Sequence, residues 1–343
     1  MVTRLPTSTA SRPALLTALL TIYLVWGSTY LAIRFAVETI PPFLMIGARF
    51  AVAGALMYLF LRIRRPDNRP TARQWGNGFL MGGLMLSLGT GLVAFAEQTV
   101  PSGLAALLIA TVPLFMVLLD WLWKGGERPS RRVVVGVIVG FVGVGFLVNP
   151  AEAFAGRGVD LIGVGAILIA TLSWSVGSLQ GRDADLPKDP FLSTAMQMFG
   201  GGAILVVASL LMGEARTFDP AAMTVKSFLS WSYLLVFGSF IAFSAYVYLM
   251  RNATAATVST YAYVNPIVAV ILGWWLGNEV VRPHMFVAMA ILLGAVLMIT
   301  RSNARFAGSR RTVECAPDED RQPMPGRVPE SEAIPAGVRG KVG

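Results

Sequence analysis

From residue 14 to residue 301 the chain alternates long apolar runs with short polar breaks. A bilayer core takes roughly 20 mostly apolar residues per helix. On that count the pattern predicts ten membrane spans, over 14–35, 43–62, 75–96, 101–122, 132–149, 159–180, 190–212, 226–250, 253–276 and 283–301. The first run starts like a secretory leader, but it continues past Ala18 to Phe35 without a convincing small-residue cleavage site, so it reads as the first span. After Arg301 the pattern is lost. The segment 302–343 is rich in Pro, Gly and charge without periodicity, and it predicts a disordered tail.

Composition agrees. Hydrophobic residues make up 55% of the 343 and charged residues only 14%, against about 25% charged in a soluble globule. The net charge of +9 does not predict a nucleic-acid partner, because the basic residues sit in short loops and the tail and form no basic helical face. Their distribution predicts orientation instead. With the N-terminus inside, fourteen basic residues fall in the N-terminus and inside loops, and only Arg157, Arg216, Lys226 and Arg282 fall outside. The positive-inside bias then puts both termini in the cytoplasm, in a bacterial inner membrane. His284 is the only histidine and Cys315 the only cysteine, so neither a His-based metal cluster nor an internal disulfide is expected. No G-x-x-x-x-G-K-[ST] pattern occurs, which argues against P-loop nucleotide hydrolysis. No cofactor is expected.

The sequence meets itself when displaced by 148 residues. Trp26 falls on Trp174, Pro42-Phe43-Leu44 on Pro190-Phe191-Leu192, and Gly54 on Gly202. Further on, an offset of 153 puts Pro113 on Pro266 and Trp121 on Trp274, and "WLWKGGE" (121–127) corresponds to "WWLGNE" (274–279). The halves are spans 1–5 and spans 6–10. Five is odd, so the second half is expected upside down relative to the first. Inverted repeats are the architecture of secondary transporters, with the substrate near the midplane between the halves. The predicted fold is an all-α integral membrane protein of ten transmembrane helices in two inverted five-helix repeats. Its parts are an N-terminus (1–13), a first repeat (14–149), a second repeat (150–301) and the tail (302–343).

The stretches "VWGSTYLAIRFAVETIPPFLMIGARFAVAGAL" and "AFAEQTVPSGLAALLIATVPLFMVLLDWLWKGGERPS" resemble the EamA-type members of the drug/metabolite transporter superfamily. "NATAATVSTYAYVNPIVAVILGWWLGNEVVRP" is a weaker echo in the second half. The resemblance covers about 14–301. It implies ten helices around a central cavity and transport of amino acids, other metabolites or drugs, in many members by export. The second half departs from the first where Gln197 stands opposite Arg49, which puts a symmetric two-arginine site in doubt.

Helical spacing gathers polar side chains into stripes: Tyr23, Trp26, Tyr30 and Arg34 in span 1; Ser87, Thr90, Gly91, Ala94, Glu97 and Gln98 in span 3; Thr171, Trp174, Ser175 and Ser178 in span 6; Thr254, Thr257, Tyr261 and Asn265 in span 9. Lipid satisfies no donor or acceptor, so such stripes face a cavity or another helix. Ser87, Thr171 and Ser175 fit helix packing, as do Gly136, Gly140, Gly143 and Gly145. Trp26 and Trp174 lie too deep to be interface anchors and fit a cavity wall. Pro113 and Pro266 each free a carbonyl four residues earlier, and fit either a hinge or a static kink.

Arg49 lies about 9 Å into span 2 at 1.5 Å per residue. Two readings fit: a side chain that snorkels outward, or one that faces a hydrated cavity and there attracts a substrate anion or pairs with Glu97. The predicted substrate-binding set is Trp26, Tyr30, Arg49, Glu97, Trp174, Gln197, Tyr261 and Asn265, with Pro113 and Pro266 as hinges. Glu97 is the best proton-carrier candidate. The leading function is a secondary-active exporter of small metabolites or drugs by alternating access, with uptake or exchange as the alternative. A membrane-embedded transferase needs paired acids or a histidine near the membrane face. The acids Asp183, Asp185 and Asp189 form the one cluster, which reads as a solvated loop, so no enzyme is expected. The expected partners are a small-molecule substrate and membrane lipid; monomer and homodimer both stay open.

Overall fold

The computed structural model describes residues 11–66, 68–123, 128–148, 158–253, 255–258 and 260–314. Regular structure among them is entirely helical. In chain order the helices are α1 (Arg12–Ala36), α2 (Pro42–Arg64), α3 (Ala72–Gly82), α4 (Gly91–Ala96), α5 (Ser102–Ile109), α6 (Val112–Leu122), α7 (Arg131–Val148), α8 (Leu161–Gln180), α9 (Pro190–Leu211), α10 (Glu214–Thr217), α11 (Val225–Tyr233), α12 (Ala242–Asn252), α13 (Ala255–Val258), α14 (Tyr261–Trp275) and α15 (Pro283–Glu314). A π-helical segment, Gly83–Thr90, joins α3 to α4, and another, Leu234–Ile241, joins α11 to α12. The described residues up to Ala304 form one compact unit and those from Arg305 on a second.

Among the described residues, eight helical stretches are long and apolar enough to cross a bilayer: Arg12–Ala36, Pro42–Arg64, Ala72–Ala96, Ser102–Leu122, Arg131–Val148, Leu161–Gln180, Pro190–Leu211 and Val225–Asn252. The last two predicted spans appear as shorter apolar helices, Tyr261–Trp275 and Pro283–Ile299. In the ninth, the described helices are Ala255–Val258 and Tyr261–Trp275, and residues 254 and 259 lie outside the described residues. The final helix runs on to Glu314, past the end expected from hydropathy at Arg301. The rest of the expected tail, 315–343, lies outside the described residues, as does residues 1–10 of the expected N-terminus.

Helix starts follow local chemistry. Ser11 caps α1, Asp160 caps α8 and Asp189 caps α9 through side-chain oxygens, and Thr71 with Gln74 forms a capping box on α3. Two helices begin after a proline that offers no side-chain cap, and each takes a distant glutamate. Glu214 accepts from the Leu44 amide at 2.8 Å at the start of α2. Glu279 accepts from the amides of Ser102 (2.7 Å) and Gly103 (3.1 Å) at the start of α5. A carboxylate there satisfies orphan donors and the positive end of the helix dipole together.

The core lies where α2 and α9 cross. A Cβ on Gly54 would fall on the Phe199 backbone nitrogen, and one on Gly202 would fall on that of Ala51. Both relations are reciprocal under the 148-residue displacement. Around this crossing, Met45, Ile46, Phe50, Ala53 and Leu205 are buried together. A second cluster joins Leu104, Leu107 and Leu108 of α5 to Ile167 of α8 and Leu292 of α15. Of the four glycines predicted to pack in span 5, Gly136, Gly140 and Gly143 lie against Ile299, Leu114 and Leu292, whereas nothing lies within 4 Å of a Cβ on Gly145. Gly145 points away from the helix pair, because five positions from Gly140 is not a helical repeat.

The Asp183–Asp189 loop is tied down rather than merely solvated. Arg65 donates to Asp189 at 2.7 Å, Gln74 donates to the Asp185 carboxylate, and Asn77 donates to the Asp185 carbonyl.

Candidate functional site

The polar face of α1 sits against α14 and the ends of α4 and α5. From one end of α1 to the other, the Tyr23 hydroxyl meets the Thr260 hydroxyl. The Trp26 ring lies 5.3 Å from Tyr261, edge-on, and 5.3 Å from Tyr246 of α12. Tyr246 and Tyr261 stand edge-on to each other at 6.2 Å. One turn on, Tyr30 is within electrostatic reach of both Glu97 and Tyr261. Another turn brings Arg34, whose Nη1 donates to the carbonyls of Glu97 (2.8 Å) and Val100 (3.0 Å). The stripe read from the sequence is therefore a continuous polar and aromatic wall, a spacing of i, i+3, i+7 and i+11 on one face. Edge-to-face rings at these separations each add about 0.5–1.5 kcal/mol beyond area burial. Asn265, one turn after Tyr261, is buried with its Oδ1 unpartnered among the described residues. That oxygen is an unspent acceptor one turn beyond the Tyr261 ring.

Arg49 is buried, only 5% exposed. Its Nε donates to Ser239 of the Leu234–Ile241 π segment at 3.0 Å. Its guanidinium lies over the Phe50 ring at 4.7 Å, and against Gly238, where any Cβ would stand 2.8 Å from Nη2. A π-helical turn widens the backbone and re-aims side chains, which brings Ser239 round to Arg49. The Ser239 hydroxyl in turn donates to the Leu234 carbonyl, five residues back. Among the described residues no carboxylate lies within 4 Å of Arg49. The Glu97 pairing considered from sequence is absent; the arginine near Glu97 is Arg34.

Glu97, one residue past the Ala72–Ala96 span, is fully buried and neither carboxyl oxygen has a hydrogen-bond partner among the described residues. Burial and the neighbouring Glu279 charge push its protonation well above the ordinary glutamate range, with Arg34 opposing.

Trp174 packs its ring on Gly89 of the other π segment, and Gln197 donates to Ser193 on its own helix at 3.0 Å. Among the described residues no ring contact or hydrogen bond joins either to the Trp26–Tyr261 group. Thr171 and Ser175 spend their hydroxyls on carbonyls, Ser175 on Thr171 (2.7 Å) and Val112 (3.3 Å), in keeping with packing. Ser87 bonds the Gly201 carbonyl at 2.8 Å. Pro113 stands at the start of α6, just past a break at residues 110–111, whereas Pro266 lies inside α14, six residues beyond Thr260. The two prolines match in sequence, but one opens its helix and the other lies within one. Thr254 lies outside the described residues.

Sequence reasoning missed Tyr246, Ser239 and Glu279. Tyr246 lies beyond a π segment that shifts the helical register, so counting by 3.6 misplaces it. Glu279 had a signal, since it aligns with Glu127 at the end of the repeated "WLWKGGE" and "WWLGNE"; Glu127 is outside the described residues.

Relatives put this wall of residues in context. A model of the EamA-like transporter family matches twice, at residues 13–149 and 161–301. The chain is 39% identical over 284 residues to "Uncharacterized inner membrane transporter YedA" of Escherichia coli (strain K12), covering 82% of this chain and 89% of that one. It is 28% identical over 286 residues to an "Uncharacterized transporter" of Archaeoglobus fulgidus (81% and 94% covered). It is 23% identical over 300 residues to "Uncharacterized transporter YvbV" of Bacillus subtilis (87% and 95% covered). A solved chain described as "Crystal structure of protein" shares the fold with a TM-score of 0.56 at 22% identity, over 86% of this chain and 99% of that one. Two family matches spanning most of the sequence, and a relative at 39% identity, decide the matter: this chain is a membrane protein belonging to the EamA-like transporter family.

Proposed function

We propose that the protein is a secondary-active exporter of small metabolites, such as amino acids, or of drugs, working by alternating access between two inverted five-helix repeats. The observation that carries this is Arg49: a buried guanidinium inside the second span, held by Ser239 and left without a carboxylate among the described residues. A desolvated, uncompensated cation is costly. An anionic group on a substrate offsets that cost whenever the site is loaded. The Trp26, Tyr246 and Tyr261 rings supply flat apolar walls, and Asn265 an amide, which suits a small amphipathic molecule with a carboxylate.

The repeat reading draws support from the reciprocal Gly54 and Gly202 contacts, from π segments at corresponding places, and from the twofold family match. On this reading the repeats are 14–149 and 150–301, and the basic loops hold both termini in the cytoplasm of a bacterial inner membrane.

The test begins with metabolite profiles of medium from cells with and without the gene. Flux of each enriched compound is then followed in proteoliposomes of defined orientation. Export predicts release from the cytoplasmic side and a loss of that release in Arg49→Ala. Net accumulation in the other direction reverses the assigned direction, and full flux in Arg49→Ala removes the site.

A further inference from the structure

Two carboxyl groups meet one guanidinium where α1, α4 and α5 converge. Glu279 is built for charge. Its oxygens accept from the Ser102 and Gly103 amides, and Arg34 Nε lies 3.6 Å away. Glu97 is built for neutrality. It is fully buried, it receives no donor among the described residues, and Arg34 Nη1 turns to its backbone carbonyl instead of its side chain. An ionised Glu97 in that position would be a buried charge with its nearest cation already shared with Glu279, which disfavours the charged form.

We propose that Glu97 is a proton-binding site, and that protonation of its carboxylate permits this end of the helical unit to close. The groups that face it are Arg34 and Tyr30 from α1 and Glu279 from the turn after α14. Thr99, two residues on, is engaged by Asp160 at the start of α8. The step is a proton equilibrium alone: the carboxylate takes one proton from water and becomes a carboxylic acid. Moving the start of α5 away from Glu279 and Arg34 would free the guanidinium and admit water, and Glu97 would ionise. The closed form therefore binds one more proton than the open form. Linkage then raises the open-to-closed ratio by up to about tenfold per pH unit between the two titration midpoints. The inference takes its purpose from the transport reading, as the coupling element of that same site.

Its test needs no substrate. The full chain, in lipid vesicles, is titrated by pH-difference infrared spectroscopy. A protonated-carboxyl band with a midpoint above the ordinary glutamate value of about 4.3 should appear and should be missing in Glu97→Gln. Glu279→Gln, which removes the repelling charge and releases Arg34, should lower that midpoint. In a second measurement, Ser102→Cys is placed in a Cys315→Ser background, because Ser102 is buried under Glu279. Its maleimide labelling rate is divided at each pH by the rate in the same chain with Glu97→Gln, which cancels the thiol's own titration. The ratio should stay near one in acid, climb by up to about tenfold per pH unit between the open-form and closed-form midpoints, and level off above the closed-form one. A band that persists in Glu97→Gln, a midpoint unmoved in Glu279→Gln, or a flat labelling ratio overturns the proposal. Absence of flux in the proteoliposome assay would sink the transport reading without touching these titrations.

Discussion

One added methyl group tests the crossing of α2 and α9. At Gly54 it would land on the backbone of Phe199, and at Gly202 on that of Ala51. Neither obstacle is the end of a flexible side chain, so the helices must part. Overpacking of this kind costs about 1–3 kcal/mol. The better helix propensity of alanine returns up to about 1 kcal/mol. Gly54→Ala and Gly202→Ala should each lose about 1–2 kcal/mol net. Both force apart the same pair of helices, so the double variant should lose less than the sum, by at least about 0.5 kcal/mol. Gly165→Ala is the control: nothing lies within 4 Å of its added Cβ, and it should be neutral or up to about 1 kcal/mol more stable. Reversible denaturation in mixed micelles, followed by tryptophan fluorescence, gives all four values. If Gly54→Ala behaves like Gly165→Ala, or if the two losses simply add, the close approach at this crossing is not what holds the helices together.

Other expectations concern the site. Arg49→Ala should abolish flux while leaving insertion and expression intact, and Arg49→Lys should weaken flux, since a point charge replaces the fork that reaches Ser239. Ser239→Ala removes one hydrogen bond to a buried cation, worth about 1.5–3 kcal/mol, and should raise KM roughly tenfold or more with less effect on kcat; an unchanged KM would detach Ser239 from the site. Tyr261→Ala should weaken substrate binding more than Trp123→Ala, whose ring is exposed, in a direct binding titration. Thr99→Val should raise the titration midpoint of Asp160, which the Thr99 hydroxyl holds below the ordinary aspartate range. The stability this contact contributes is present above the unfolded midpoint and fades as pH falls through the folded one; a midpoint unmoved by NMR titration would contradict that.

The helical class and most span limits were legible because lipid leaves few alternatives: an apolar run of about 20 residues either crosses or is buried. The face of α1 was legible too, since a straight helix keeps Tyr23, Trp26, Tyr30 and Arg34 in line. What escaped was register and long-range pairing. The π segments break the 3.6-residue count, so Ser239 and Tyr246 were hidden. The pairing of Arg49 with Glu97 rested on shared depth in the bilayer, and depth says nothing about azimuth. Arg34 has the right azimuth and takes the place beside Glu97. Glu279 as a cap for α5 joins residues 177 apart in the chain, a relation no local spacing encodes.

The widened turns at Gly83–Thr90 and Leu234–Ile241 have a bearing on ancestry and on engineering. Each carries a surplus residue relative to a regular helix. One such insertion falls inside each of the two family matches, as descent from a single doubled segment would leave them. Excising that surplus residue from either would let the widened turn close to a regular helix with the downstream register kept, whereas excising one residue between the turn and Tyr246, or between the turn and Glu97, would rotate that side chain by about 100°.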